Sequence, residues 1–140
     1  MRVHFTAEEL GAFLDEIFPQ VAGRFAVLEV APMRARLRLN VTEADLRPGG
    51  TVSGPAMFSL ADCAFYAAVL AMIGREALTV TTTCTINFMR KPEPRDLIGE
   101  ARILKLGKAL AVGDVTIESP GVEGPVAHAT VTYAIPPRRG

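Results

Sequence analysis

One apolar run constrains this chain more than any other feature of its sequence. Residues 55–73 read PAMFSLADCAFYAAVLAMI and contain a single charged side chain, that of Asp62. A helix of about 20 apolar residues can cross a membrane, but an unpaired carboxylate in hydrocarbon is costly. The run is also rich in alanine and is followed by strand-like alternation, which favours a helix buried on all sides within a domain. We therefore predict a buried central helix and no membrane partner, with a membrane span as the alternative.

The composition is typical of one folded domain. The 140 residues are 49% hydrophobic and 21% charged, which excludes intrinsic disorder, and we expect a single domain over 1–140. Lys and Arg (15) balance Asp and Glu (15), so no basic field favours a nucleic-acid partner. Cys63 and Cys84 lack the spacing of a zinc site, and we expect no metal. Because Glu8 and Glu9 stand where a signal peptide would be apolar, we expect a cytoplasmic protein.

The periodicity of the chain predicts the order helix, two strands, long helix, four strands. A capping box from Thr6 to Glu9 begins the first helix, and Pro19 marks its end. Gly74 is a suitable C-terminal cap for the long helix. Strands are predicted over 24–31, 33–41, 77–90, 96–106, 109–119 and 125–135. Antiparallel strands wrapped over one apolar helix make an α+β domain.

Asp62 is the side chain of the apolar run that suggests chemistry. Burying an unpaired carboxylate is unfavourable, so Asp62 should have a partner or face a solvated cleft. Gly54 lies eight residues earlier, at the N-terminus of the predicted helix. Free N–H groups and the helix dipole favour a developing negative charge there, as in an oxyanion hole. The alternative is a surface aspartate that only meets water.

Residues 51–68 read TVSGPAMFSLADCAFYAA, and residues 81–115 read TTTCTINFMRKPEPRDLIGEARILKLGKALAVGDV. Both stretches resemble the hotdog-fold acyl-CoA thioesterases of the phenylacetic-acid-pathway (PaaI-like) type. The most specific parts are SLAD, INFMRKP and RDLIGEA, and the resemblance covers roughly residues 25–135. It implies a hotdog fold, in which an antiparallel six-stranded sheet wraps a long central helix. It also implies a homodimer or a dimer of dimers, with coenzyme A as part of the substrate and no other cofactor.

The motif of that family, Asn-Pro-x-Gly-x-x-His-Gly-Gly followed by an acidic residue, is matched in part. The matching positions are Pro48, Gly50, Gly54 and Asp62. The positions that differ are Arg47 for Asn, Ser53 for His and Pro55 for the second Gly. Because proline has no N–H group, an oxyanion hole in this chain would rely mainly on Gly54.

The resemblance implies a role for each of these positions. The Gly54 N–H would polarise the thioester carbonyl, and Asp62, from the adjacent subunit's helix, would activate water or attack directly. Thr81 falls near the family position of a hydroxyl that holds the water or the carboxylate, with a plain strand former as the alternative. Ser53 holds a catalytic position of the motif and is also a suitable N-cap. Arg47 and Pro55 would border the substrate.

Other substrate contacts are expected at a strand end and along the helix. In the resembling family the strand end lies near the coenzyme A nucleotide, where cations meet phosphates; ordinary turn charges are the alternative. The candidates for this role are Arg90, Lys91 and Arg95, with Lys105, Lys108 and Arg138 weaker. The candidates for an acyl pocket, or for plain core, are Met57, Phe58, Phe65 and Tyr66.

The leading hypothesis is an acyl-CoA thioesterase that hydrolyses small-to-medium acyl-CoA thioesters. A non-catalytic protein that binds or senses acyl-CoA is the first alternative, because the motif lacks its Asn and His. A hotdog dehydratase or hydratase is less favoured, since those enzymes use a catalytic histidine and none lies near the glycine-rich loop. His128 is expected on the polar face of a late strand.

Overall fold

The computed structural model describes residues 2–137, and in that range it confirms the predicted order of helices and strands. The helices are α1 (Ala7–Ile17) and α2 (Gly54–Ile73). The strands are β1 (Phe25–Ala31), β2 (Arg34–Leu39), β3 (Val80–Phe88), β4 (Leu97–Leu106), β5 (Leu110–Glu118) and β6 (Ala127–Ala134). Short 3₁₀ turns occupy Pro19–Val21 and Glu43–Asp45.

The helix ends follow from local chemistry. The predicted capping box begins α1. Ser53 caps α2, because its Oγ accepts a hydrogen bond from the Ala56 N–H at 3.2 Å. Gly74 ends α2 with a φ of 93°, a conformation that glycine adopts without strain. The long helix therefore begins and ends within one residue of its prediction.

The strand starts differ from the predictions where turns intervene. β2 begins at Arg34 because Met33 adopts a φ of 64° and forms the turn after β1. β3 begins at Val80, three residues later than predicted, because the chain before it forms a turn. In this turn the Thr79 N–H donates a hydrogen bond to the Glu76 carbonyl oxygen at 3.0 Å. Both corrections concern hydrogen-bonded turns, whose residues alternate in polarity much as strand residues do.

The six strands form one antiparallel sheet in the order β1-β2-β4-β5-β6-β3. β1 and β3 are its edges, and α1 packs on β1. Among residues 2–137, β3 pairs only with β6, and its register shifts between Thr81 and Thr83. Such a bulge changes which face the following residues point to.

The sheet wraps α2, which is buried along most of its length. The helix is long and apolar enough to cross a membrane, but 78% of its most apolar 18-residue stretch is buried inside the domain. A Cβ added at Gly113 on β5 would lie 2.5 Å from Cε1 of Phe65 and would clash with the Arg102 carbonyl oxygen. The close approach of α2 to the sheet therefore requires glycine at this position.

Candidate active site

Two cavities open at different points along α2. The first, here called the Gly54 cavity, has a volume of about 450 Å³ and is lined by Arg47, Thr51, Val52, Gly54, Met57, Phe88, Met89, Arg90, Lys91 and Pro92. The second, the Asp62 cavity, measures about 470 Å³ and is lined by Ile17, Phe18, Gln20, Asp62, Tyr66, Ala77, Thr79, Val80, Thr81 and Tyr133. Each holds one of the two groups that the sequence suggested for chemistry.

The Gly54 N–H is free to bind an anion. Ala56 and Met57 donate their N–H groups to Ser53, and Pro55 has none. No acceptor among residues 2–137 pairs with the N–H of Gly54. The Phe88 ring forms a wall over this position, since a Cβ on Gly54 would lie 3.3 Å from its Cζ. The N-terminus of α2 thus presents one unpaired donor to the cavity.

The loop before α2 is held in place by a buried carboxylate. Asp45 is 4% exposed and pairs with Arg24 Nη1 at 2.9 Å. Its side chain accepts the Thr42 N–H at 2.9 Å, and its carbonyl accepts the Ser53 N–H at 2.7 Å. Loop and cap are thereby fixed together, which holds the adjacent Gly54 amide in position.

Three cationic side chains line the Gly54 cavity. Arg90 donates from Nη1 to the Pro125 carbonyl at 2.7 Å, which holds its guanidinium beside the cavity. Lys91 and Arg47 are exposed and also line it. This arrangement gives positive charge at the mouth of a cavity that contains an N–H donor, so it suits an anionic ligand.

Asp62 is held by two hydroxyl groups. Thr81 Oγ1 donates to Asp62 Oδ1 at 2.6 Å. Tyr133 Oη lies 2.7 Å from the same oxygen and 2.9 Å from the Asp62 carbonyl oxygen. The predicted contact between Asp62 and Thr81 is therefore present, and Tyr133 is a partner that the sequence reasoning missed.

The environment of Asp62 keeps its neighbours protonated. Burial, and then the negative charge of Asp62, raise the pKa of the Tyr133 phenol, so Tyr133 acts as a donor at neutral pH. Burial, with the charge of Asp62, also raises the pKa of Cys63 to about 12. Because its thiol stays protonated, Cys63 is a packing residue and not a nucleophile.

The remaining wall of the Asp62 cavity is apolar and aromatic. Tyr66 donates its hydroxyl to the Ala77 carbonyl at 2.7 Å and stacks on Tyr133 with ring centroids 5.9 Å apart. Ile17 and Phe18, from the end of α1 and the residue after it, close the other side. This wall suits an apolar group placed next to the carboxylate.

One chain does not bring Gly54 and Asp62 together. Eight residues of α-helix separate them, a rise of about 12 Å, and they line different cavities. Within the described residues, therefore, the N–H donor and the carboxylate lie in two separate places, here called the Gly54 half-site and the Asp62 half-site.

The other predicted site residues are placed as follows. Ser53 acts as the N-cap of α2. Pro55 and Phe58 line a shallow apolar cleft beside Phe88. Phe65 is fully buried core, and Arg95 lines neither the Gly54 cavity nor the Asp62 cavity. Lys105 and Lys108 lie at the β4–β5 hairpin, and Arg138 lies outside the described residues.

Neither a metal cluster nor a histidine occurs in these half-sites. Among residues 2–137, no group of three or more His, Cys, Asp and Glu side chains has the geometry to hold a metal ion. His128 Nε2 lies 3.0 Å from Asp114 Oδ2, and His128 lines neither the Gly54 cavity nor the Asp62 cavity. Asp114 also binds Arg102, so the predicted polar-face position of His128 is confirmed.

Comparison with known proteins agrees with this geometry. The family model described as the thioesterase superfamily matches residues 49–126, more than half of the chain, and the match includes both Gly54 and Asp62. The chain belongs to the thioesterase superfamily.

Individual relatives support this membership. A Deinococcus radiodurans protein, provisionally described as an esterase, is 33% identical over 109 residues, which are 78% of this chain and 71% of that protein. A solved structure from Silicibacter sp. TM1040, provisionally described as a thioesterase, is 56% identical with a TM-score of 0.90, over 98% of this chain and 96% of that chain. A mutant of the phenylacetic acid degradation protein PaaI from Thermus thermophilus is 26% identical with a TM-score of 0.72, over 84% of this chain and 99% of that chain. The resemblance to hotdog, PaaI-like thioesterases is therefore confirmed.

Proposed function

We propose that this thioesterase-superfamily protein hydrolyses small-to-medium acyl-CoA thioesters. The observation that carries the proposal is the pair of half-sites on α2: an unpaired Gly54 N–H beside cations, and an Asp62 carboxylate held by hydroxyl groups. An oxyanion donor and a carboxylate are what thioester hydrolysis requires. The cations Arg90 and Lys91 suit the phosphates of coenzyme A.

The complete site requires a second copy of the chain, which we propose pairs through β3. This strand has one neighbour in the sheet, and its exposed residues include Val80 (55%) and Phe88 (52%). An open edge with apolar side chains favours pairing with another strand. Thr81, at one end of β3, touches Asp62; Phe88, at the other end, covers Gly54.

Antiparallel pairing of two β3 strands about a twofold axis places the beginning of one opposite the end of the other. The Asp62 half-site of one copy then adjoins the Gly54 half-site of the second copy. The proposed assembly is a homodimer, or a dimer of dimers, with two sites per dimer.

The proposed reaction uses water and the two half-sites. Asp62 accepts a proton from water while the water oxygen bonds the thioester carbonyl carbon. The carbonyl oxygen becomes an oxyanion and accepts a hydrogen bond from the Gly54 N–H. The intermediate then breaks its C–S bond, and the proton on Asp62 passes to the leaving thiolate, which departs as free coenzyme A. If Asp62 attacks carbon itself, a mixed anhydride forms, the thiolate takes its proton from solvent, and water hydrolyses the anhydride.

Thiol release from a panel of short, aromatic and long acyl-CoAs tests the proposal, with Asp62→Asn as the test variant. The matched control is Asp15→Asn, the same substitution at an exposed carboxylate on α1. We expect wild type and Asp15→Asn to release thiol and Asp62→Asn to lose most of the rate. Equal rates in all three would contradict the assigned role of Asp62.

A non-catalytic acyl-CoA binder is the second candidate. It is favoured by the substitutions Arg47, Ser53 and Pro55 in the family motif, the last of which removes an N–H donor. Binding of a panel member by calorimetry, with no thiol released from any member, would support this function and overturn the hydrolase.

A further inference from the structure

The two oxygens of the Asp62 carboxylate have unequal surroundings. Oδ1 accepts hydrogen bonds from Thr81 Oγ1 at 2.6 Å and from Tyr133 Oη at 2.7 Å. No hydrogen bond or ion pair from residues 2–137 reaches Oδ2, although Asp62 lines a cavity of about 470 Å³. One oxygen is thus tethered, and the other has free lone pairs beside open space.

We infer that Tyr133 is a positioning residue that, together with Thr81, fixes Asp62 Oδ1 and leaves Oδ2 as the oxygen that takes the proton or attacks carbon. The inference rests on the proposed thioesterase function. It adds to that function a residue from β6 and the assignment of the reacting oxygen.

Proton counting supports the assignment. Thr81 and Tyr133 each have one hydroxyl proton to donate, and a carboxylate offers only acceptors. Tyr133 Oη lies 2.7 Å from Oδ1 and 2.9 Å from the Asp62 carbonyl oxygen, so its one proton is shared in a three-centre hydrogen bond that favours the nearer Oδ1. Rotation of the carboxylate would break this contact and the Thr81 contact together. The orientation of Oδ2 is therefore set by two hydrogen bonds to a charged group, which are among the stronger ones in proteins.

The hydroxyl of Tyr133 is itself held rigidly. The side chain is 3% exposed, and its ring packs against Phe65 and Tyr66 with centroids 5.6 and 5.9 Å apart. Thr81 and Tyr133 are direct cross-strand partners. The register shift after Thr81 lets its side chain share the inner face with Cys84, which strict alternation would forbid. The bulge therefore brings both hydroxyl groups to one carboxylate oxygen.

The test compares variants that remove one hydroxyl each: Tyr133→Phe, Thr81→Val and Thr81→Ser, the last of which keeps the hydroxyl. Thr130→Val is the control, because it removes an exposed hydroxyl from the same strand as Tyr133 that does not touch Asp62. The readouts are kcat and KM for the best acyl-CoA of the panel, the Kd of the same acyl-CoA for each variant in the Asp62→Asn background, and the melting temperature.

We expect kcat to fall about 10- to 100-fold in Tyr133→Phe and in Thr81→Val, the range that a hydrogen bond to a charged group spans. KM, Kd and melting temperature should change little, Thr81→Ser should recover most of kcat, and Thr130→Val should keep kcat within twofold of wild type. A kcat within twofold of wild type in Tyr133→Phe would overturn the inference while leaving the thioesterase function intact. A fall in kcat matched by lost binding or a lower melting temperature would also overturn it, because Tyr133 would then be structural. A wild-type protein that releases no thiol would overturn the proposed function and this inference together.

Discussion

The oxyanion role of Gly54 can be tested by a substitution that removes its backbone N–H. In Gly54→Pro the ring Cδ replaces the amide hydrogen, and proline is well suited to the first position of a helix. Ser53 before it has φ −73° and ψ 158°, a conformation that residues preceding proline favour. Removing one oxyanion-hole donor costs about 100- to 1,000-fold in kcat. We expect a loss of that size, measured by thiol release, with little change in melting temperature.

Gly54→Ala is the matched control, because it adds a Cβ and keeps the N–H. That Cβ would lie 3.3 Å from Phe88 Cζ, which is the far end of a side chain and needs to shift by only a few tenths of an ångström. We therefore expect Gly54→Ala to retain kcat within a few-fold. Equal activity of the proline variant and wild type would refute the oxyanion role of Gly54. Equal losses in the proline and alanine variants would show that crowding by the added carbon, and not the N–H, is responsible.

Three further outcomes follow from the structure. Gly113→Ala should lower the free energy of unfolding, measured by chemical denaturation, by about 1–3 kcal/mol or more, because overpacking typically costs that much. An unchanged denaturation midpoint would contradict the close packing of Phe65 on Gly113. Arg90→Ala and Lys91→Ala should each raise KM for acyl-CoA a few-fold and leave kcat nearly unchanged, and the rise in KM should shrink as the salt concentration increases. A KM that neither substitution changes would mean that the phosphates bind elsewhere. Cys63, with its pKa raised to about 12 by burial, should resist alkylation at pH 7–8 in the native protein and react after unfolding, as mass spectrometry would show; rapid labelling of the native protein would contradict its burial.

The fold was largely predictable because its central element has an unusual sequence. The apolar run carries one charge, and Ser53, Pro55 and Gly74 mark its ends. A helix of that kind must be covered on all sides, and the strands predicted before and after it can form the sheet that covers it. The strand starts at β2 and β3 were less predictable, because hydrogen-bonded turns resemble strands in composition.

The candidate site was predictable only in part, because contacts between elements distant in sequence create it. Gly54 and Asp62 could be found from their positions on one helix, and the helical rise alone separates them. Tyr133 could not be assigned, because its contact with Asp62 depends on the register of β6 and on the bulge in β3. One signal was available in the sequence. Tyr133 shares the inner face of β6 with Ala129 and Val131, and a hydroxyl buried there needs a polar partner.

The central claim, that one active site combines Gly54 of one chain with Asp62 of a second copy, can be tested by complementation. Gly54→Pro and Asp62→Asn chains carrying different affinity tags would be co-expressed, and the heterodimer purified through both tags. One of its two sites would then be intact, so we predict about half the wild-type activity from two nearly inactive parents. A purified heterodimer no more active than its parents would contradict the claim, because it would mean that both residues act within the same chain.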